Sequence, residues 1–174
     1  MASSCQIRAL DDTPEHRRQV AALFALAEDY HLVVEGTPAG PDAAEEFFRE
    51  IPAGYSLNDL HLFGLYEGEQ LSGVASVLKG WNAPHKAIIG LLVLAPEARG
   101  RGWGRDALIH IECVAKSWPG IDTLRVAVLV NNGPALAFWR RVGFVDTGEI
   151  KPRYANFVAD IVILEKPLSA PPIA

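Results

Sequence analysis

Apolar residues recur along the chain with two periods, and the changes between them predict the elements. Ile7 to Leu10 reads as a short opening strand ended by Asp11-Asp12. Thr13-Pro14-Glu15-His16 has the form of a helix start, with a capping hydroxyl, proline at the first helical position and an acid in the first turn. Val20, Leu23, Phe24, Ala27 and Tyr30 then follow at helical spacing as one buried stripe, predicting a helix that ends near His31. The breaker run Gly36-Thr37-Pro38-Ala39-Gly40-Pro41 separates it from a second short helix over residues 42–48.

From Leu60 the period shortens. Leu60 to Glu67 and Leu71 to Lys79 are β-rich runs joined by Gly68-Glu69-Gln70, the pattern of a hairpin. Ala87 to Leu94 is almost wholly apolar, as expected of a strand buried on both faces. A glycine-rich turn at 99–104 leads into a helix marked by Leu108, Ile111, Val114, Ala115 and Trp118 and stopped at Pro119-Gly120. Leu124 to Val130 is the next strand. Ala135, Phe138, Trp139 and Val142 give a further helical stripe, closed by Gly143 as a left-handed cap. Phe144-Val145 and Ala159 to Leu164 supply two last strands. The order predicts an α/β domain: a mixed sheet of about six to seven strands with helices on both faces.

Composition narrows the class. The chain has 174 residues, enough for one packed domain, expected over residues 1–168 with 169–174 as a flexible tail. A formal charge of -5 argues against nucleic acid as a partner, because phosphate-backbone binding needs a broad basic face. Positive charge is local instead, with Arg99, Arg101 and Arg105 close together, which suits a small anionic ligand. Two cysteines, Cys5 and Cys113, share no metal-ligand spacing with histidine, so no metal is expected. Cys113 is expected to be a small buried hydrophobe on a helix. No signal-peptide pattern and no run of about 20 apolar residues is visible, which gives a cytoplasmic expectation without a membrane partner.

The chemistry lies in Leu92-Val93-Leu94-Ala95-Pro96-Glu97-Ala98-Arg99-Gly100-Arg101-Gly102-Trp103-Gly104, between a buried strand and an amphipathic helix. Glycines let consecutive N–H groups converge on a ligand, and a helix start favours anions, so a diphosphate fits this turn. No Gly-Lys-Ser or Gly-Lys-Thr occurs, which excludes a Walker A loop. Gly102, Gly104 and Ala107 match the letters of a dinucleotide fingerprint. Its context does not match, since Ala95 to Arg101 separate strand from glycines and Asp122 begins a strand where the fingerprint acid ends one. Gly102 and Gly104 could equally serve only a tight turn, and Asn132 taken alone reads as a helix cap.

Residues 88–144 resemble the GNAT (GCN5-related N-acetyltransferase) family. The resemblance rests on Arg99, Gly102 and Gly104 after the strand and Pro96, and on a second motif, Asn132 with Ala135 on a helix ending in Gly143-Phe144. It implies a fold in which two neighbouring parallel strands splay apart, here 87–94 and 124–130. It implies acetyl-CoA as co-substrate and an amine acceptor, joined in a ternary complex by direct attack on the thioester. Main-chain groups of Leu92 and Leu94 would hold the pantetheine arm, with the Leu94 N–H as oxyanion donor. Gly100, Arg101, Gly102, Trp103, Gly104 and Arg105, with Arg99, would hold the pyrophosphate. Asn132 would reach the pantetheine, Phe138 would flank the cofactor, and Arg140 or Arg141 could meet the adenosine 3′-phosphate.

The sequence departs from the family at one place. Many relatives carry a tyrosine, as general acid, four residues before the glycine of Gly-Phe. Trp139 stands there, and an indole N–H is no proton donor at these pH values. Tyr154 is the substitute acid considered, with His85, Glu28 and Glu67 as candidate bases. Glu28, Asp29, Glu35, Asp42, Glu45 and Glu46 hint at a cationic amine, although surface solvation explains them too. The alternative reading is a domain that binds acyl-CoA without turnover. Acceptor and oligomeric state, monomer or homodimer, are left open.

Overall fold

Seven strands form one mixed sheet in the order β1-β2-β3-β4-β5-β7-β6. They are β1 (Gln6–Ala9), β2 (Leu60–Glu67), β3 (Gln70–Lys79), β4 (Lys86–Leu94), β5 (Thr123–Leu129), β6 (Val145–Lys151) and β7 (Ile161–Pro167). The computed structural model describes residues 5–153 and 155–169. All neighbours pair antiparallel except β4 and β5, which are parallel. The expected architecture, a mixed sheet covered by helices, is the one observed.

The helices are α1 (Pro14–Leu26), α2 (Glu28–Glu35), α3 (Ala43–Arg49), α4 (Trp103–Ser117) and α5 (Gly133–Arg141). Alternation along the strands divides the core. Leu62, Val74 and Val93 face Val20, Leu23, Phe24 and Phe48 of α1 and α3. Phe63, Ala75, Val77, Ile89 and Val126 face Leu108, Ile111, Leu136 and Trp139 of α4 and α5. Asp12 ties the first of these layers together through Arg17 at 2.5 Å and Arg49 at 2.8 Å.

Two expectations need correction. The first helix does not run to His31: it breaks at Ala27 (φ -97°, ψ 34°) and resumes as α2, which a left-handed Gly36 ends. Neither glycine nor proline stands at the break, so the local sequence carries no signal for it. Cys113 is exposed rather than buried. The buried face of α4 is Trp103, Gly104, Ala107, Leu108, Ile111 and Ala115, and position 113 lies off that stripe.

Beside the parallel pair lies a charge network centred on one buried arginine. Arg125 on β5, 3% exposed, donates to Glu165 at 2.9 Å and Glu149 at 2.8 Å, while Lys86 reaches Glu165 at 2.6 Å. Burial pushes the Glu165 carboxyl up, but hydrogen bonds and charge from Lys86 and Arg125 outweigh it and hold the group below its usual value. The network sits where β4 and β5 are still paired.

Candidate active site

β4 and β5 begin side by side and then part. Their pairing runs only from Lys86↔Thr123 to Ile89↔Val126, whereas β5 keeps its ladder to β7 as far as Leu129↔Ile161. The cause is in β4: against β3, Ser76 pairs with Leu91 and Val77 with Ile89, so Gly90 is an extra, bulged residue. A bulge bends its strand and interrupts the ladder. The opening between the strands is a cleft of about 190 Å³.

The free edge of β4 beyond the bulge has a defined polarity. The Ala95 N–H donates to Ser72 O at 2.8 Å, towards β3. Successive residues of a strand point their peptide groups to opposite sides, so those of Leu92 and Leu94 face away from β3. The Leu94 carbonyl is taken by Arg99 Nε at 3.1 Å. Tyr30 and Val34 of α2 reach the cleft from one side of the sheet, and Ala135 and Trp139 of α5 from the other. The β6–β7 connection joins the first wall, where Phe157 lines the cleft and the Val158 N–H donates to Val34 O at 3.1 Å.

A larger groove of about 870 Å³ opens beside the glycine turn, between α4 and α5. Gly100 and Gly102 have φ of 72° and 85°, the left-handed region in which a side chain is strained. A Cβ at either would meet nothing within 4 Å, so their backbone faces open space. Gly102 caps α4 without any side-chain hydrogen bond; its carbonyl accepts from the Arg105 N–H at 3.0 Å, and the N–H groups of Trp103 and Gly104 stand ahead of that bond at the positive end of a 15-residue helix. At Gly104 the reason for glycine is different: a Cβ there would lie 3.2 Å from the Phe138 ring. Arg105 and Arg141 line the same groove and form no ion pair among the described residues.

The Acetyltransferase (GNAT) family model matches residues 20–144. The chain belongs to the GNAT acetyltransferase family. No curated protein gives a sequence match. Solved structures share the fold at low identity. An acetyltransferase from Thermus thermophilus is 20% identical over 97% of this chain and 100% of its own, with a TM-score of 0.68. The ribosomal-protein-S18-alanine N-acetyltransferase of Escherichia coli is 18% identical over 97% and 96%, at 0.65. Spermidine N-acetyltransferase of Vibrio cholerae, solved with CoA and spermine, is 17% identical over 95% and 96%, at 0.71.

On this GNAT scaffold the expected site residues divide. Leu94, Arg99, Gly100, Gly102, Trp103, Gly104, Arg105 and Phe138 come together along the groove, and Leu92 and Asn132 along the cleft. Asn132 also caps α5, accepting from the Ala135 N–H at 3.3 Å. Trp103 is 2% exposed, its ring packed with Leu65, Ala98 and Ala107, so only its backbone is left to face a ligand. Two arginines expected in the cluster are committed elsewhere. Arg99 pairs with Asp29 through two bonds of 2.5 and 2.9 Å. Arg101 pairs with Glu67 at 2.9 and 3.1 Å and stacks on Trp103.

The acid and base candidates fare differently. His85 precedes β4 at the end where the strand is paired on both sides, nine residues from Leu94, or about 30 Å at ~3.3 Å per residue. That distance separates it from Leu94, the expected oxyanion donor. Glu28 lines a separate cavity of about 310 Å³ with Phe24 and Pro38, not the cleft. Glu67 is held by Arg101. Tyr154 lies outside the described residues. Of the two arginines considered for the 3′-phosphate, one remains without an ion pair among the described residues. Arg141 faces the groove, whereas its neighbour Arg140 pairs with Asp146 at 2.7 Å. Tyr30, read from its spacing as core, lines the cleft, and the break at Ala27 that no residue type signals is what separates it from α1.

Proposed function

We propose that the protein transfers an acetyl group from acetyl-CoA to a primary amine, by direct attack within a ternary complex. The observation that carries this reading is the parting of β4 and β5 at Gly90, which leaves a strand edge beside a glycine turn at a helix N-terminus. An extended arm bearing amides can add to the edge at Leu92 and Leu94 as a further strand would. The amides of Gly100 to Arg105 suit a pyrophosphate, with Arg105 and Arg141 as the uncommitted cations. The Leu94 N–H is the donor we assign to the oxyanion.

Acceptors of similar proteins span proteins and small molecules: the Escherichia coli neighbour is named for a protein alanine and the Vibrio cholerae one for a polyamine. Two acids of the helical segment are already neutralised, Asp29 by Arg99 and Glu45 by Arg49 at 3.1 Å. The lining of the cleft carries no charged side chain among the described residues. We therefore favour an amine whose nearest substituent is apolar.

Calorimetry with acetyl-CoA, followed by thiol release over a panel of aliphatic, aromatic and polycationic amines and N-terminal peptides, tests this. Binding with release on at least one amine is the expected result. Tight binding with no release on any acceptor would support the second reading, a coenzyme sensor, which Trp139 in place of the family tyrosine favours.

A further inference from the structure

We propose that the Tyr30 hydroxyl is the proton relay of acyl transfer, receiving the proton of the attacking amine while giving its own to the thioester sulfur. The proposal rests on the acyl-CoA reading above and assigns a group that reading lacks. Of the described residues lining the β4–β5 cleft, Tyr30 is the only one with a titratable side chain. The other polar side chains there are the Asn132 amide, whose oxygen is engaged as a cap, and the Trp139 indole. The hydroxyls of Tyr55 and Tyr66 are spent on Gly80 O and Gln19, whereas that of Tyr30 has no partner among the described residues.

The surroundings hold Tyr30 in place. Asp29, its neighbour on α2, is gripped by Arg99, whose Nε also binds the Leu94 carbonyl. One guanidinium thus spans the start of α2 and the last residue of β4, whose N–H we assign to the oxyanion. Val34, one turn beyond Tyr30, is held through its carbonyl by the Val158 N–H. The ring itself packs edge-on to His31, with centroids 5.2 Å apart. Tyr30 enters from the α2 side of the sheet and Trp139 from the α5 side, so a thioester in the cleft would lie between them.

The step balances. The amine lone pair forms a bond to the thioester carbon and the carbonyl pair moves onto oxygen. Collapse restores the carbonyl and breaks the carbon–sulfur bond, leaving that pair on sulfur. The amine proton passes to the Tyr30 oxygen as the hydroxyl proton passes to sulfur, giving amide, free thiol and neutral tyrosine. Burial, followed by the charge of Glu35, pushes the Tyr30 phenol up, which disfavours a free phenolate between the two transfers.

The test compares CoA with desulfo-CoA, in which hydrogen replaces the thiol, by calorimetry at pH 9, and so needs no acceptor. A hydroxyl aimed at sulfur makes the wild-type protein prefer CoA by about tenfold or more, the scale of a hydrogen bond to a charged group. Tyr30→Phe, which removes one oxygen, binds both alike within about twofold and keeps its affinity for desulfo-CoA. Tyr30→Leu serves if the Phe variant does not fold. Thiol release with hydroxylamine as acceptor falls at least about 100-fold in either variant. No preference in the wild type, or a preference that survives in the variants, overturns the role of Tyr30. Failure of the wild type to bind either compound would overturn the acyl-CoA reading instead.

Discussion

Replacing Gly102 with Glu separates the ligand-binding role we propose for the glycine turn from its role in folding. Gly102 sits at φ 85°, so any side chain costs about 1–2 kcal/mol of backbone strain. Its Cβ would meet no atom within 4 Å, so no steric term adds to this. The folded protein survives, with a melting temperature lower by about 2–8 °C. Binding suffers far more, because the carboxylate fills and charges the space in front of the first turn of α4. Losing two amide bonds to a phosphate at about 1.5–3 kcal/mol each weakens acetyl-CoA by about 10²–10⁴-fold. Gly120→Ala is the matched control. It has the same left-handed strain, at φ 81°, and the same open surroundings, but it follows the far end of α4, about 22 Å away at ~1.5 Å per residue. Calorimetry and thermal melts on the three proteins decide the matter. Wild-type affinity in folded Gly102→Glu, or an equal loss of affinity in Gly120→Ala, refutes the assignment of the turn.

Other outcomes follow from the same structure. Glu165→Gln deprives Arg125 of one of its two carboxylates and costs about 3 kcal/mol in a urea titration at pH 7. Because the Glu165 pKa is held down in the folded state, its contribution is present above the usual glutamate value and lost as pH falls through the folded one. The gap between wild type and variant therefore narrows below about pH 4. Burial, then the charge of Asp106, pushes the Cys5 thiol up to about 11, while Cys113 is exposed. A thiol reagent at pH 8 should label one site rapidly, and Cys113→Ala should abolish that fast phase. Trp139→Tyr leaves a void beside Phe138 and Phe144, costs about 1–2 kcal/mol, and changes thiol release with hydroxylamine less than about threefold. A gain of tenfold or more would mean that the family tyrosine had been the missing acid.

The sheet and the groove were legible because their signals are local. Alternation marked β2 and β3, an unbroken apolar run marked β4, and Gly100 and Gly102 announced a turn that only glycine makes freely. The α2 wall of the cleft was not legible, since it depends on where elements meet in space. Nothing in the residues around Ala27 distinguishes a continuous helix from two, so Tyr30 read as core. Sequence proximity grouped Arg99 and Arg101 with Arg105, yet carboxylates 70 and 34 residues away claim the first two. Arg141 is adjacent to Arg140, and only the turn into β6 decides which of them meets Asp146. His85 precedes the paired end of β4, a placement invisible until the bulge at Gly90 fixes where β4 leaves β5.

The central claim is that the space opened by this bulge receives the thioester arm of a coenzyme. A crystal structure of the protein saturated with CoA tests it most directly. The account predicts the arm lying along the edge at Leu92 and Leu94, with both phosphates on the amides of residues 100–105. Coenzyme bound elsewhere, or β4 and β5 paired along their whole length with the turn empty, would contradict it.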